Sequence, residues 1–499
     1  MSLINVSNLT FAYEGSYDNI FTDVSFQIDT DWKLGFCGRN GRGKTTFLKL
    51  LMGMYEYSGA ISASVNFEYF PFALDDTSQS TIELLTSIAP NAKEWQILRE
   101  LSRLSVAEDA LQRPFVTLSN GEQTKALLAG LFLRENSFLL IDEPTNHLDM
   151  AARETVAKYL NGKSGFILVS HDRAFLDGCV DHILSINRAN IEIQKGNFTS
   201  WYQNKQMQDE FEIAEDERLR KDVKRLKAAA RQSSQWADKV ESTKIGKGTA
   251  AARKNGHVSK DNRAYIGEQS RRMQQRRKNL ERRQSSAIEE KSSLLKNIET
   301  ADDLKIHPLA YHASRLIVAE GLSISYGEKE VVHGASFTLQ RGERIALMGP
   351  NGSGKSSIIK LICGYNIAHS GELTVGSQLV ISYVPQDASY LTGDLDDFAA
   401  ELQIDIPLFK AILRKLDFPR VQFEKDMRDF SAGQKKKVLI AASLCQQAHV
   451  YIWDEPLNYI DVLSRIQIEK LIDAYKPAML FVEHDRAFCD NVATKIVEL

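Results

Sequence analysis

The 499-residue chain carries the same series of five motifs twice, in the same order and nearly the same register. Lys44 and Lys355 each close a glycine-rich loop. Ser119 and Ser431, Asp142 and Asp454, Asp149 and Asp461, and His171 and His484 complete the series, each pair 311 to 313 residues apart, as the lysines are. Self-similarity over such a period means that one structural unit is built twice, so the fold must house two copies of one core. The length agrees, because a chain of ~500 residues exceeds what a single hydrophobic core supports. The halves are placed at residues 1–200 and 315–499, joined by a segment at 201–314.

The two loops read Gly38-Arg-Asn40-Gly41-Arg-Gly43-Lys44-Thr45-Thr46 and Gly349-Pro-Asn351-Gly352-Ser-Gly354-Lys355-Ser356-Ser357. Each follows a strand-like run and opens a helical pattern. Glycines at this spacing let backbone amides turn toward phosphates, the lysine adds charge near the β and γ groups, and the Thr45 or Ser356 hydroxyl suits magnesium. Downstream, two apolar runs end in Asp142-Glu143-Pro and Asp454-Glu455-Pro. A buried strand that delivers two adjacent carboxylates offers one to magnesium and the next, Glu143 or Glu455, to an attacking water. His171 and His484 each follow a further strand and are expected to reach the γ-phosphate.

Leu118-Ser119-Asn-Gly121-Glu and Phe430-Ser431-Ala-Gly433-Gln precede long helical patterns, where a serine, a glycine and the positive helix end can present donors to a phosphate. With this element the set resembles the ATP-binding-cassette family, whose signature is LSGGQ. The resemblance implies an α/β fold of two P-loop nucleotide-binding domains, with ATP and Mg2+ as cofactors. It also implies that each signature faces the other half's phosphate loop, so that Lys44 pairs with Ser431 and Lys355 with Ser119. By the same resemblance Tyr13 and Tyr326 match the aromatic residue that stacks on adenine, and Gln386 matches a glutamine that contacts magnesium. The first half departs from the pattern: Tyr69-Phe-Pro-Phe72 carries phenylalanine, which can neither ligate metal nor order water, so slower hydrolysis is expected at the Lys44 site.

The net charge of −3 conceals an asymmetry. Between Arg218 and Arg283 there are 21 Lys or Arg against 6 Asp or Glu, leaving the remainder of the chain strongly acidic. Basic charge concentrated in one segment points to a polyanion, since neutralising phosphates releases counterions. The charged periodicity from about Trp201 to Val240 and from about Tyr265 to Ile298 predicts an antiparallel pair of helices around a small basic tip, Lys244 to Gly256.

Two cassettes and a basic linker resemble the F subfamily of ATP-binding-cassette proteins, whose members are translation factors. More narrowly, Trp32 to Lys44, Ile167 to Phe175 and Tyr451 to Asp461 are similar to the Lsa-type resistance members. This implies the ribosome as partner, through its exit-tRNA site, 23S rRNA and P-site tRNA, and protection against lincosamides, pleuromutilins and group A streptogramins. The short span between Lys44 and Ser119 leaves little room for the extra arm of housekeeping members, and the chain ends 15 residues after His484. A housekeeping translation factor remains the nearest alternative. A transporter ATPase subunit would need a membrane partner, and a DNA-maintenance ATPase a far longer coiled coil.

No run approaches the ~20 apolar residues of a membrane helix and no signal-peptide pattern opens the chain, which predicts a cytoplasmic protein, expected to act as a monomer. Five scattered cysteines without a CxxC pair predict free thiols.

Overall fold

The computed structural model describes residues 2–15, 19–72, 74, 76–146, 148–186, 191–244, 268, 271–272, 275–276, 278–280, 282–283, 285–287, 289, 308–327 and 329–499. The chain divides into two compact units, one formed by Met1–Trp201 with Ala301–Leu499 and the other by Tyr202–Thr300.

In the first unit each half pairs a mainly parallel sheet with a smaller antiparallel one. The first half's large sheet runs in the order Asn66–Phe70, Ser137–Asp142, Phe166–Val169, Lys33–Cys37, His182–Ile186, Ile191–Lys195. All neighbours are parallel except the last pair. The second half repeats the order with Ile381–Val384, Val450–Asp454, Met479–Val482, Arg344–Met348 and Lys495–Glu498, all parallel. Parallel strands are covered on both faces, which explains why Phe166–Val169 and Val450–Asp454 are buried at every position rather than at alternate ones.

The three-stranded sheets are Phe21–Asp29, Leu3–Phe11, Ser58–Ser62 and Lys329–Gln340, Arg315–Tyr326, His369–Val375. Each closes a core against the face of the parallel sheet that carries the phosphate-loop helix. In the first half Ile4, Leu9, Phe21, Phe36 and Phe47 meet there; in the second, Ile317, Leu322, Leu347, Ile358 and Ile452. The other face of the second sheet packs helices through Phe409, Leu439, Trp453 and Phe488.

This α/β architecture, two cassette-type nucleotide-binding folds in one chain, agrees with the expectation from the repeat. Among the described residues all five cysteines are free thiols, and no helix is long and apolar enough to cross a membrane.

The helix Phe198–Lys244, of which Tyr202–Lys244 belongs to the second unit, is 47 residues long, starting before and ending after the expected limits. The described residues between 268 and 289 are helical, and Arg271, Arg272 and Arg276 are exposed. The expected tip beyond Lys244, and Arg277, lie outside the described residues.

Candidate active site

Each phosphate loop joins a buried central strand, Lys33–Cys37 or Arg344–Met348, to a helix, Lys44–Leu51 or Lys355–Ile362. Gly43 and Gly354 cap these helices in the left-handed region, at φ 91° and 85°. A Cβ on Gly43 would lie 2.5 Å from Ile20 Cγ2, so backbone angle and packing both demand glycine there. Lys44 Nζ donates to Gly38 O at 2.7 Å and Arg39 O at 3.1 Å; Lys355 Nζ donates to Gly349 O at 2.9 Å and Pro350 O at 2.8 Å. Both ammonium groups therefore sit inside the curl of the loop. Burial pulls both lysines below their usual range, opposed by neighbouring carboxylates.

The hydroxyl that ends each loop meets the carboxylate that ends the neighbouring strand. Thr45 Oγ1 donates to Asp142 Oδ2 at 2.8 Å, and Ser356 Oγ to Asp454 Oδ1 at 3.1 Å. Asp142 also accepts from Tyr69 OH at 2.9 Å. Asp454 Oδ2 is buried without a hydrogen-bond partner, and burial raises this carboxyl to about 6. An orphaned carboxylate oxygen beside a serine hydroxyl fits Mg2+, a hard cation that takes oxygen ligands. Among the described residues no group of three or more His, Cys, Asp or Glu could hold a metal alone, so phosphate oxygens would have to complete the shell.

Glu143 and Glu455 both adopt left-handed backbone angles, φ 53° and 46°, held by bonds from their amides to Val169 O and Val482 O. Such conformations cost about 1–3 kcal/mol for a non-glycine residue and cluster at functional sites. His171 Nε2 lies 3.2 Å from Glu143 Oε1, and His484 Nε2 lies 3.4 Å from Glu455 Oε1.

Here the halves diverge. Glu455 Oε2 accepts from Gln386 Nε2 at 2.9 Å and from Asn458 Nδ2 at 2.7 Å. Burial pushes Glu455 upward, but His484 and these two amides outweigh it and hold the carboxyl at about 2. In the first half Phe72 stands where Gln386 does, and Glu143 Oε1 is buried with the His171 ring close by but not in hydrogen-bond geometry. Burial first, then adjacent Asp142, pushes Glu143 up to about 8.

Ser119 and Ser431 cap the helices Asn120–Leu131 and Ala432–Cys445, each in a reciprocal capping box with Glu122 or Gln434. Tertiary structure then brings opposite halves together. One cavity of about 530 Å³ is lined by Tyr13, Asn40, Lys44, Asp142, Glu143 and His171 from the first half and by Ser431 and Gly433 from the second. The other, of about 990 Å³, is lined by Asn351, Lys355, Ser356, Gln386, Glu455 and His484 facing Ser119 and Gly121.

Polar contacts cross between the halves beside Lys44 and around Arg153 and Arg173. Asn40 Nδ2 donates to Tyr459 O at 2.7 Å, and Arg42 lies 3.7 Å from Asp417. Arg153 Nη1 donates both to Asp172 Oδ2 at 2.9 Å and, across the interface, to His484 O at 3.1 Å. Arg173 forms a bidentate pair with Glu469 of the other half.

The half-exposed tyrosines sit at the loops. Tyr13 OH and Thr46 Oγ1 are 2.7 Å apart, and Tyr326 OH donates to Ser357 Oγ at 3.0 Å. Tyr13 lines the smaller cavity, whereas Tyr326 is not among the residues lining the larger one. Sequence reasoning passed over Arg153 and Arg465, whose equal spacing of 312 was visible, and over Asn458, Tyr459, Lys436 and Glu483.

The family model described as ABC transporter matches residues 21–146 and 332–458, about half of the chain. The chain belongs to this family. It is an ABC-F family ATPase, with the cassette present twice. It is 28% identical to the ribosome protection protein VmlR of Bacillus subtilis, over 98% of this chain and 85% of that protein. It is 24% identical to the energy-dependent translational throttle protein EttA of Haemophilus influenzae, over 96% of this chain and 89% of that one. A solved complex of an archaeal ribosome recycling factor, aABCE1, with the stalk protein aP1 shares the fold. It has TM-score 0.64 at 18% identity, covering 98% of this chain and 87% of that one.

The ABC-F cassettes thus carry a specific departure at Phe72. Phe72→Gln is expected to give Glu143 the amide donor it lacks and to raise turnover at the Lys44 site several-fold, since a positioned proton acceptor contributes about 10²–10⁴-fold overall. The measurement is steady-state ATP turnover in a Glu455→Gln background; an unchanged rate would mean that Phe72 does not limit this site.

Proposed function

We propose that this ATPase binds the ribosome and protects it from antibiotics of the peptidyl-transferase centre, with lincosamides, pleuromutilins and group A streptogramins as the class. The observation that carries the reading is the pair of head-to-tail composite cavities, each needing residues of both halves, in a chain that also bears the basic linker. The name of VmlR supports protection; EttA, a translational throttle by name, supports the housekeeping alternative. Three parts make up the proposed division: a first cassette at 1–200, a linker at 201–314 and a second cassette at 315–499. The protein would work as a cytoplasmic monomer.

In each site Lys44 or Lys355, with the backbone amides of its glycine loop, holds the phosphates, while Tyr13 or Tyr326 offers a ring to adenine. Thr45 with Asp142, and Ser356 with Asp454 and Gln386, would hold Mg2+, which when bound neutralises phosphate charge. Glu455 takes the proton of the attacking water, and His484 donates to the γ-phosphate. Ser119 and Gly121 complete that phosphate's shell from the opposite half, so hydrolysis requires the halves to be closed. Glu143, His171, Ser431 and Gly433 play the same parts at the slower site.

The linker would reach from the exit-tRNA site along 23S rRNA toward the end of P-site tRNA. Exposed arginines such as Arg271, Arg272 and Arg276 supply salt-sensitive, sequence-blind affinity for phosphates. Residues 244–255 would act at the drug site. In a Glu143→Gln/Glu455→Gln protein, ATP is expected to drive co-sedimentation with ribosomes. Shortening 244–255 should leave that association and ATP turnover intact while abolishing protection of translation from a lincosamide. Undiminished protection by the shortened protein would remove the linker from the mechanism.

A further inference from the structure

The helix that Ser431 caps carries three consecutive lysines, Lys435 to Lys437, and the last two are buried; Lys437 pairs with Asp461, whereas Lys436 meets only backbone carbonyls. Lys436 is 3% exposed, and its Nζ donates to Pro385 O at 2.9 Å and to Glu455 O at 3.1 Å. Pro385 precedes Gln386, so one ammonium group joins the carbonyl just before the residue that orders Glu455 to the carbonyl of Glu455 itself. The strongest attraction acting on Lys436 comes from Glu483, which is 4% exposed. Glu483 in turn accepts from Leu457 N at 2.7 Å and from His484 N at 3.1 Å. A buried cation and a buried anion therefore hold four backbone groups around the Glu455 carboxylate, at Pro385, Glu455, Leu457 and His484.

The first half lacks this arrangement. In register with the repeat, Thr124 stands at the Lys436 position and Ser170 at the Glu483 position, both buried and neutral. Ser170 Oγ lies 3.4 Å from Thr145 Oγ1 and accepts from Asp172 N at 3.2 Å, so the two matching segments meet there through neutral hydroxyls rather than through a buried carboxylate. Burying two charges is costly, and exchanging them for well-packed apolar residues of similar volume is often neutral or favourable for stability, so the second half's charges call for a role beyond holding the fold.

We propose that Lys436 and Glu483 are positioning residues for hydrolysis at the Lys355 site, keeping Gln386, Glu455 and His484 in register. This rests on the reading of Glu455 as the group that activates water. Neither residue faces the phosphates; both act through backbone. Misplacement of reacting groups by about 1 Å costs on the order of 10²-fold in rate, whereas ground-state binding of ATP by the phosphate loop is untouched.

The test transplants the first half's pair. In a Glu143→Gln background, which isolates turnover at the Lys355 site, Lys436→Thr together with Glu483→Ser is expected to lower kcat about 10- to 100-fold. KM for ATP should stay within about twofold, with the cooperative thermal melt retained. Lys436→Thr alone should lower kcat about as much, because the Pro385 and Glu455 carbonyls lose their shared donor in either variant. The double exchange in a Glu455→Gln background should leave the residual turnover of the Lys44 site unchanged. A kcat within twofold of the background, a loss confined to KM, an equal loss at the Lys44 site, or loss of the cooperative melt in the double variant would each overturn the proposal. If Glu455→Gln itself fails to reduce turnover, the role of Glu455 falls instead, and that result is read independently of Lys436.

Discussion

Glu455→Gln is expected to reduce ATP turnover at the Lys355 site by about 10²–10⁴-fold, the usual contribution of a positioned base, leaving the slower turnover of the Lys44 site, while ATP affinity survives. The substitution keeps the size of the side chain and the hydrogen bonds of the phosphate loop, but removes the ionised oxygen that Gln386, Asn458 and His484 surround. Glu143→Gln should cost far less of the total, because Glu143 has no amide donor at the Phe72 position and contributes the smaller share from the start. Steady-state phosphate release by the two single variants, beside equilibrium binding of a fluorescent ATP analogue, makes the comparison. Equal losses in the two variants would remove the asymmetry between sites, and loss of ATP binding in either would remove the base role.

Ser119→Arg is expected to stop turnover at the Lys355 site although the two residues belong to different halves. Ser119 caps its helix by accepting from Glu122 N at 3.3 Å and lines the same cavity as Lys355 and Glu455. Arginine would forfeit a cap worth about 1 kcal/mol. More importantly, it would fill the space from which the serine hydroxyl and Gly121 amide address a phosphate, and loss of such preorganised donors costs about 10²–10³-fold. In the Glu143→Gln background turnover should therefore fall to near the level of the double glutamine variant. Ser431→Arg should spare that activity and silence the Lys44 site instead. Should Ser119→Arg impair the Lys44 site while sparing the Lys355 site, the crossed pairing would be wrong.

The glutamate variants also bear on the wider reading. A protein that binds ATP between its halves but cannot release phosphate accumulates in the closed form, the state in which ribosome association is expected to be tightest. If closure and association are linked, each must strengthen the other by the same factor.

Residue types at fixed spacing determined the chemical parts of this protein. Glycines that alone tolerate φ near 90° set the phosphate loops, all-apolar runs became strands buried on both faces, and a carboxylate pair at each strand end arrived beside a loop hydroxyl. These were legible because backbone angle, strand burial and helix capping are decided within a few residues of chain. The pairing of Lys44 with Ser431 and of Lys355 with Ser119 came from resemblance, and only the tertiary structure brought those residues to common cavities. Asn40 and Tyr459, or Arg153 and His484, lie hundreds of residues apart, and no local pattern records that they meet. Lys436 shows the limit most directly. In a charged helical run a lysine reads as solvent-facing; it is buried because Pro385 and Glu455 turn their carbonyls inward at that point, and the folded chain around it decides that.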